Sequence, residues 1–166
     1  MKLTLKKWGV AMTLGVMLFG GCRSVDDDRI PPVPVYINFT TAADWITYGV
    51  GGAGQWRRFI KAEREPGNYP YTALTQTGFG GVLLVSDFLG APHAYDLACP
   101  VECKATIRVS VDPDIMKAVC PVCHSVYEVF ENYGYPVGGP AADKGYGLTR
   151  YYVGPGPQGE SMVITR

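Results

Sequence analysis

Apolar residues in this chain alternate along short segments and do not recur at helical spacing. Val33, Val35, Ile37 and Phe39 occupy every second position, which predicts a strand entering a domain with one face buried. Residues 106–111 alternate in the same way, Asp112-Pro113-Asp114 turns the chain, and 116–119 reads as the return strand. Gly81-Val82-Leu83-Leu84-Val85 is a continuous apolar run bounded by glycine and suits a buried strand. Further strands are predicted over 126–130, 148–153 and 162–165. No window carries a convincing helical repeat, and no segment repeats internally. Many short strands separated by Gly and Pro predict an all-β fold, a small sandwich or barrel. Residues 33–166 are long enough to form one domain with its own core. Within it, the long aromatic segment 66–80 reads as a plain surface crossing.

The first residues follow a different logic. Lys2, Lys6 and Lys7 form a basic flank, and 8–19 is an uncharged, mostly apolar stretch too short to span a bilayer comfortably. Gly20 and Gly21 follow, then Cys22. Leu18-Phe19-Gly20-Gly21-Cys22 resembles a bacterial lipobox, with Phe19 where Leu is usual. Residues 1–21 are therefore expected to be a lipoprotein signal peptide and Cys22 the lipidated first residue of the mature chain. Asp26-Asp27-Asp28 and Pro31, Pro32 and Pro34 then make 22–32 an acidic, proline-rich tether expected to be solvated. The stretch after the cysteine also resembles the export signal of surface lipoproteins in Bacteroidota. The expected location is the cell envelope, periplasmic or surface, with the membrane as partner through the lipid.

Loss of the signal peptide leaves 12 basic and 15 acidic residues. That balance, with no basic cluster, excludes a nucleic-acid-binding surface of the usual kind. Enzyme signals are sparse: no nucleophile elbow, no phosphate loop, and two histidines in the whole chain. No catalytic residue is assigned.

The chemistry lies in the cysteines. Cys99-Pro100-Val101-Glu102-Cys103 and Cys120-Pro121-Val122-Cys123-His124 put four thiols into two short Pro-containing turns, brought side by side by the hairpin between them. Cys99, Cys103, Cys120 and Cys123 are the candidate metal ligands, with His124 as an alternative to one of them. Four thiolates suit an all-cysteine two-iron two-sulfur cluster, a zinc ion or a single iron. Disulfides, with no cofactor, remain open in an oxidising compartment. So does c-type haem, because Cys120-Pro121-Val122-Cys123-His124 satisfies the Cys-x-x-Cys-His pattern, with Met116, Met162 or His93 as a second axial ligand.

Tyr95-Asp96-Leu97-Ala98-Cys99-Pro100, Cys120 to Tyr127, Gly138-Gly139-Pro140 and Leu148-Thr149-Arg150-Tyr151 together resemble a Rieske domain, over about residues 78–153. The resemblance implies two β subdomains, the smaller holding a two-iron two-sulfur cluster between its loop tips. Cys99 and Cys120 match the family's cysteine ligands. The histidine positions hold Val101 and Cys123, so the histidine ligands are not retained. The Gly-Pro-rich loop 134–140, with Gly138, Gly139 and Pro140, is expected to cover the cysteine turns. The expected function is a membrane-anchored electron-transfer module with an unidentified redox partner. The alternative is a surface lipoprotein whose cysteine site is structural and whose loops bind.

Overall fold

The computed structural model describes residues 24–166, so the signal peptide and Cys22 lie outside the described residues. The fold is all-β, with two short α-helices and one 3-10 turn among the described residues. One sheet holds β1 (Val35–Phe39), β2 (Trp56–Phe59), β3 (Gln76–Thr77), β4 (Val82–Ser86), β5 (Pro92–Asp96), β10 (Arg150–Gly154) and β11 (Met162–Thr165), in the order β2-β4-β5-β10-β11-β1-β3. The second holds β6 (Ser110–Asp112), β7 (Lys117–Val119), β8 (Val126–Glu128) and β9 (Tyr135–Gly138) in sequence order. The pairings in both are antiparallel.

The topology explains the position of the site. β5 and β10 are neighbours, with Tyr95 opposite Arg150 and Ala94 opposite Tyr151, yet the whole small sheet lies between them in the chain. The small subdomain is thus an insertion at one edge-to-edge contact of the large sheet. This is the two-subdomain division that the Rieske resemblance implies.

Two cores sit on opposite faces of the large sheet. Ile37, Phe39, Phe59, Val82, Leu84 and Ile164 belong to one, while Leu83, Val85, Tyr95, Val109, Tyr127 and Leu148 belong to the other. β4 feeds both, which is why its apolar run is continuous and every residue in it is buried. Cys99 and Cys120 belong to the second core, between the large sheet and the small one.

Several expectations change in three dimensions. Residues 106–111 are not one strand: Ile107 accepts a hydrogen bond from the Cys99 N–H, Arg108 bridges to Ala98, and regular pairing begins at Ser110. Segment 66–80 is not a plain surface crossing. Tyr69 is buried, touches Phe39, Phe59, Tyr48 and Tyr71 edge-on, and donates its hydroxyl to the Asn38 carbonyl. The helix α1 (Ala42–Tyr48) forms without a visible repeat because its seven residues span only two turns. Its start is fixed locally by a capping box, in which Thr41 accepts from the Asp44 N–H and Asp44 accepts from the Thr41 N–H.

The acidic stretch expected to be solvated packs on the domain. Asp26 exchanges backbone hydrogen bonds with Gly145 and Gly147, and the Asp27 carbonyl accepts from the Thr149 hydroxyl. Asp27 pairs with Arg150 and Asp28 with Arg166, the Arg29 guanidinium lies 4.0 Å over the Tyr146 ring, and Ile30 is 1% exposed. The exposed ion pairs contribute little, so the anchor is the buried isoleucine. Ile30→Ala is expected to cost about 2–5 kcal/mol of unfolding free energy, read as a lower denaturant midpoint. An unchanged midpoint would mean that the segment is a free tether after all.

Candidate metal centre

The first cysteine turn leaves the large sheet at a buried polar knot. Asp96 ends β5, and its carboxylate accepts from the N–H groups of Phe79 (3.0 Å), Gly80 (3.0 Å) and Ala98 (2.7 Å) and from the Tyr151 hydroxyl (2.5 Å). Burial pushes the Asp96 carboxyl above its ordinary value, and these four donors oppose the shift. The knot holds Ala98, and hence Cys99, against the small sheet. The Cys103 N–H donates to the Cys99 carbonyl at 2.9 Å and closes the turn.

The second turn is the loop between β7 and β8, with Val119 opposite Val126. The His124 N–H donates to the Cys120 carbonyl at 3.1 Å, and the Cys120 N–H donates to the Ser125 carbonyl at 3.0 Å. Because β6 and β7 are antiparallel neighbours, the loop before β6 and the loop after β7 meet at one end of the small sheet.

Three thiols meet there. The sulfurs of Cys99, Cys120 and Cys123 all lie within 4.8 Å of one another, with Cys99 and Cys123 3.6 Å apart. Cys103 is not among them: its sulfur lies 3.1 Å from the Pro100 carbonyl and 3.8 Å from that of Arg29. His124 is exposed and also stands outside the group. Cys99, Cys103, Cys120 and Cys123 are free thiols here. Of the four cysteines expected from the sequence as ligands, the structure brings three together. Position alone could not separate Cys103 from the rest, because side-chain direction at the end of a turn depends on its backbone dihedrals.

Two groups that the sequence reading left out of the site touch these sulfurs. The Tyr127 hydroxyl lies 3.5 Å from Cys99 Sγ, and Ser125 Oγ lies 3.1 Å from Cys123 Sγ. Both follow Cys123 at two-residue steps, Ser125 just before β8 and Tyr127 within it. Burial pushes the Cys99 thiol up to about 12, against the Tyr127 hydroxyl and the Glu102 and Val101 N–H groups. Burial also acts to raise Cys123, but hydrogen bonds from Ser125 and the two neighbouring thiols outweigh it and lower that thiol. Tyr127 is raised, first by burial and then by Cys99. Without metal, the Cys123 thiol therefore ionises more readily than the buried Cys99 thiol beside it. A soft divalent ion entering the cluster must displace protons.

No protein-family model matches the chain, and no curated protein matches it. Among solved structures, the chain is similar to the ferredoxin of carbazole 1,9a-dioxygenase from Nocardioides aromaticivorans IC177. The identity is 12%, the TM-score is 0.40, and the match covers 79% of this chain and 96% of that one. With so slight a likeness, the geometry of the chain itself must carry the reading of the site.

That geometry narrows the haem alternative. His93 lies in β5 and pairs with Asp87, and Met162 packs in the core on the far side of the large sheet. Of the three candidate axial ligands, Met116 alone packs against the core that carries the cysteines. The Cys-x-x-Cys-His residues also form a hairpin loop, not the start of a helix.

The glycine-rich segment expected as a loop is strand β9 followed by a helix, α2 (Gly139–Lys144), with Pro140 in its first turn and Gly145 ending it. It does reach the second turn. The Ala141 N–H donates to Ser125 Oγ at 3.0 Å, and the same oxygen accepts from Cys123 Sγ at 3.1 Å. Gly139 has φ +66°, and a Cβ there would sit 3.0 Å from the His124 carbonyl oxygen and the Ser125 Cα. Gly139→Ala is expected to cost about 1–2 kcal/mol in backbone strain alone, with further loss from that contact. Gly138 is extended, meets only the Val126 side chain at 3.3 Å, and should tolerate alanine better. Denaturation midpoints of the two variants check the difference; equal values would sink it.

Proposed function

We propose that this protein is an envelope lipoprotein whose Rieske-like domain carries electrons through a thiolate-bound iron centre. The observation that carries the reading is the convergence of Cys99, Cys120 and Cys123 from two turns onto one point. Iron is the metal that makes such a donor set redox-active, and thiolates hold its potential low. The setting suits electron passage better than catalysis. The cavities described are lined by Asp27, His93, Tyr133, Arg150 and others, and by none of the three thiols. Beside the sulfurs, Pro121, Val122 and His124 are exposed, so a partner could approach the centre closely at this tip. The lipobox at Cys22 supports anchorage to the membrane.

A second reading has its own observation. A single tetrahedral ion with metal–sulfur bonds of about 2.3 Å sets its sulfurs about 3.8 Å apart. The 3.6 Å between Cys99 and Cys123 fits that spacing, which zinc satisfies as well as iron. An all-cysteine two-iron cluster would divide four ligands into two pairs, and three sulfurs around one point fit a lone ion better.

Elemental analysis, an absorption spectrum and a redox titration of protein purified without oxygen test the proposal. Iron with reversible reduction is the expected result, and inorganic sulfide would add a cluster to it. Zinc in a colourless protein would replace electron transfer with a structural role, and absence of metal would end both readings. Cys22→Ala is expected to move the protein out of the membrane fraction without unfolding it.

A further inference from the structure

The two cysteine turns are built to one plan. Each begins Cys-Pro-Val, at Cys99 and at Cys120. In each, the first cysteine is fully buried and its carbonyl accepts from the N–H four residues on, at 2.9 Å from Cys103 and 3.1 Å from His124. In each, that fifth residue is left-handed, with φ 50° at Cys103 and 55° at His124. Residues with a Cβ seldom adopt that conformation, so its occurrence at both fifth positions marks the same backbone path.

Equal backbone paths point equivalent side chains in equivalent directions. Cys103 is then the counterpart of His124, and both stand outside the sulfur group. The counterpart of Cys123 is Glu102. In the second turn this fourth position delivers a sulfur to within 4.8 Å of the first cysteine's. In the first turn it holds a carboxylate. The Glu102 and Val101 backbone lies near enough to Cys99 to favour its ionised form. Glu102 is partly buried, and its side chain has no hydrogen bond or ion pair among the described residues.

We infer that Glu102 is the fourth ligand of the centre, which binds its ion through three thiolates and one carboxylate oxygen. This rests on the metal-centre reading above and deepens it. The carboxylate stands outside the sulfur group as its side chain is placed. The shared turn places Glu102 at the position from which Cys123 reaches the group, so ligation calls for rotation of its side chain. Carboxylate oxygen is an accepted partner of thiolates on tetrahedral zinc, at about 2.0–2.2 Å. A site of this kind leaves no open position, and it explains why Cys103 can face away from the sulfurs.

Cobalt(II) is the probe, because its visible bands report coordination number and its near-ultraviolet intensity counts thiolates. It is titrated into the reduced, metal-free protein. The wild type is expected to give a tetrahedral spectrum. Glu102→Ala and Glu102→Gln should weaken binding at least about 10-fold and shift the visible bands. Cys103→Ser should leave affinity and spectrum unchanged. Glu102→Cys should restore tight binding with the intensity of a fourth thiolate, which also guards against a fold defect at this position. Unaltered cobalt binding by Glu102→Ala, or loss of it in Cys103→Ser, would overturn the assignment alone. A wild type that binds no cobalt would overturn the metal reading and this assignment together.

Discussion

Serine at Cys99, Cys120 or Cys123 is expected to abolish the proposed metal binding, while serine at Cys103 leaves it intact. The three effective positions are those whose sulfurs share one point, and Cys103 directs its sulfur at the carbonyls of Pro100 and Arg29. Loss of a direct ligand should exceed the roughly 10- to 100-fold weakening caused by residues that merely orient a ligand. Cys99 offers a further check. Burial holds its thiol up to about 12, so binding at neutral pH releases its proton, and retention should weaken steadily as pH falls. Metal content after gel filtration, measured for each variant and across pH, reads both effects. Equal losses in all four variants would restore Cys103 to the site. Pronounced retention in Cys123→Ser would remove the second turn's contribution.

Asp96→Ala should be the most destabilising single change outside the cysteines. The carboxylate is fully buried and serves four donors, the N–H groups of Phe79, Gly80 and Ala98 and the Tyr151 hydroxyl. Removing it leaves all four without an acceptor where water does not reach, and each orphaned donor costs about 1–3 kcal/mol. A loss on the order of 3–5 kcal/mol, or failure to fold, is expected. Asp96→Asn keeps one acceptor oxygen and should fall between wild type and Asp96→Ala. Urea denaturation measures the series. The knot joins β5 to the first cysteine turn, so metal retention should fall with stability. A variant that kept wild-type stability would show that the large sheet and the small subdomain are held together by packing alone.

Much of the fold was legible because strand signals are local. Val35, Ile37 and Phe39 alternate, and β1 is buried at those three positions. The apolar run 82–85 announced a buried strand, and β11 occupies the predicted residues. β2 and β5 were not legible. Trp56-Arg57-Arg58-Phe59 and Pro92-His93-Ala94-Tyr95-Asp96 lack clean alternation and are strands because they flank β4 on either side. The helix α2 was hidden by its glycines, which read as a loop but serve as its first residue and its end.

At the site, the sequence by itself determined the turns. Proline after each first cysteine and the short spacing to the next polar residues dictate two tight, similar bends, and the alternating stretch between them brings the bends together. It also marked sulfur as the main donor type of the candidate site. Which side chains face inward was decided only by the tertiary structure. A residue at the end of such a turn points wherever its left-handed backbone sends it, and that conformation is stabilised by contacts from elsewhere in the chain. Cys103 meets the carbonyl of Arg29 across 74 residues, and the helix α2 supports Ser125 beneath Cys123. The acidic segment is a further case. Its composition reads as solvated, yet Ile30 is buried, because burying one apolar side chain outweighs the cost of laying a few charged residues along a surface that offers them arginines.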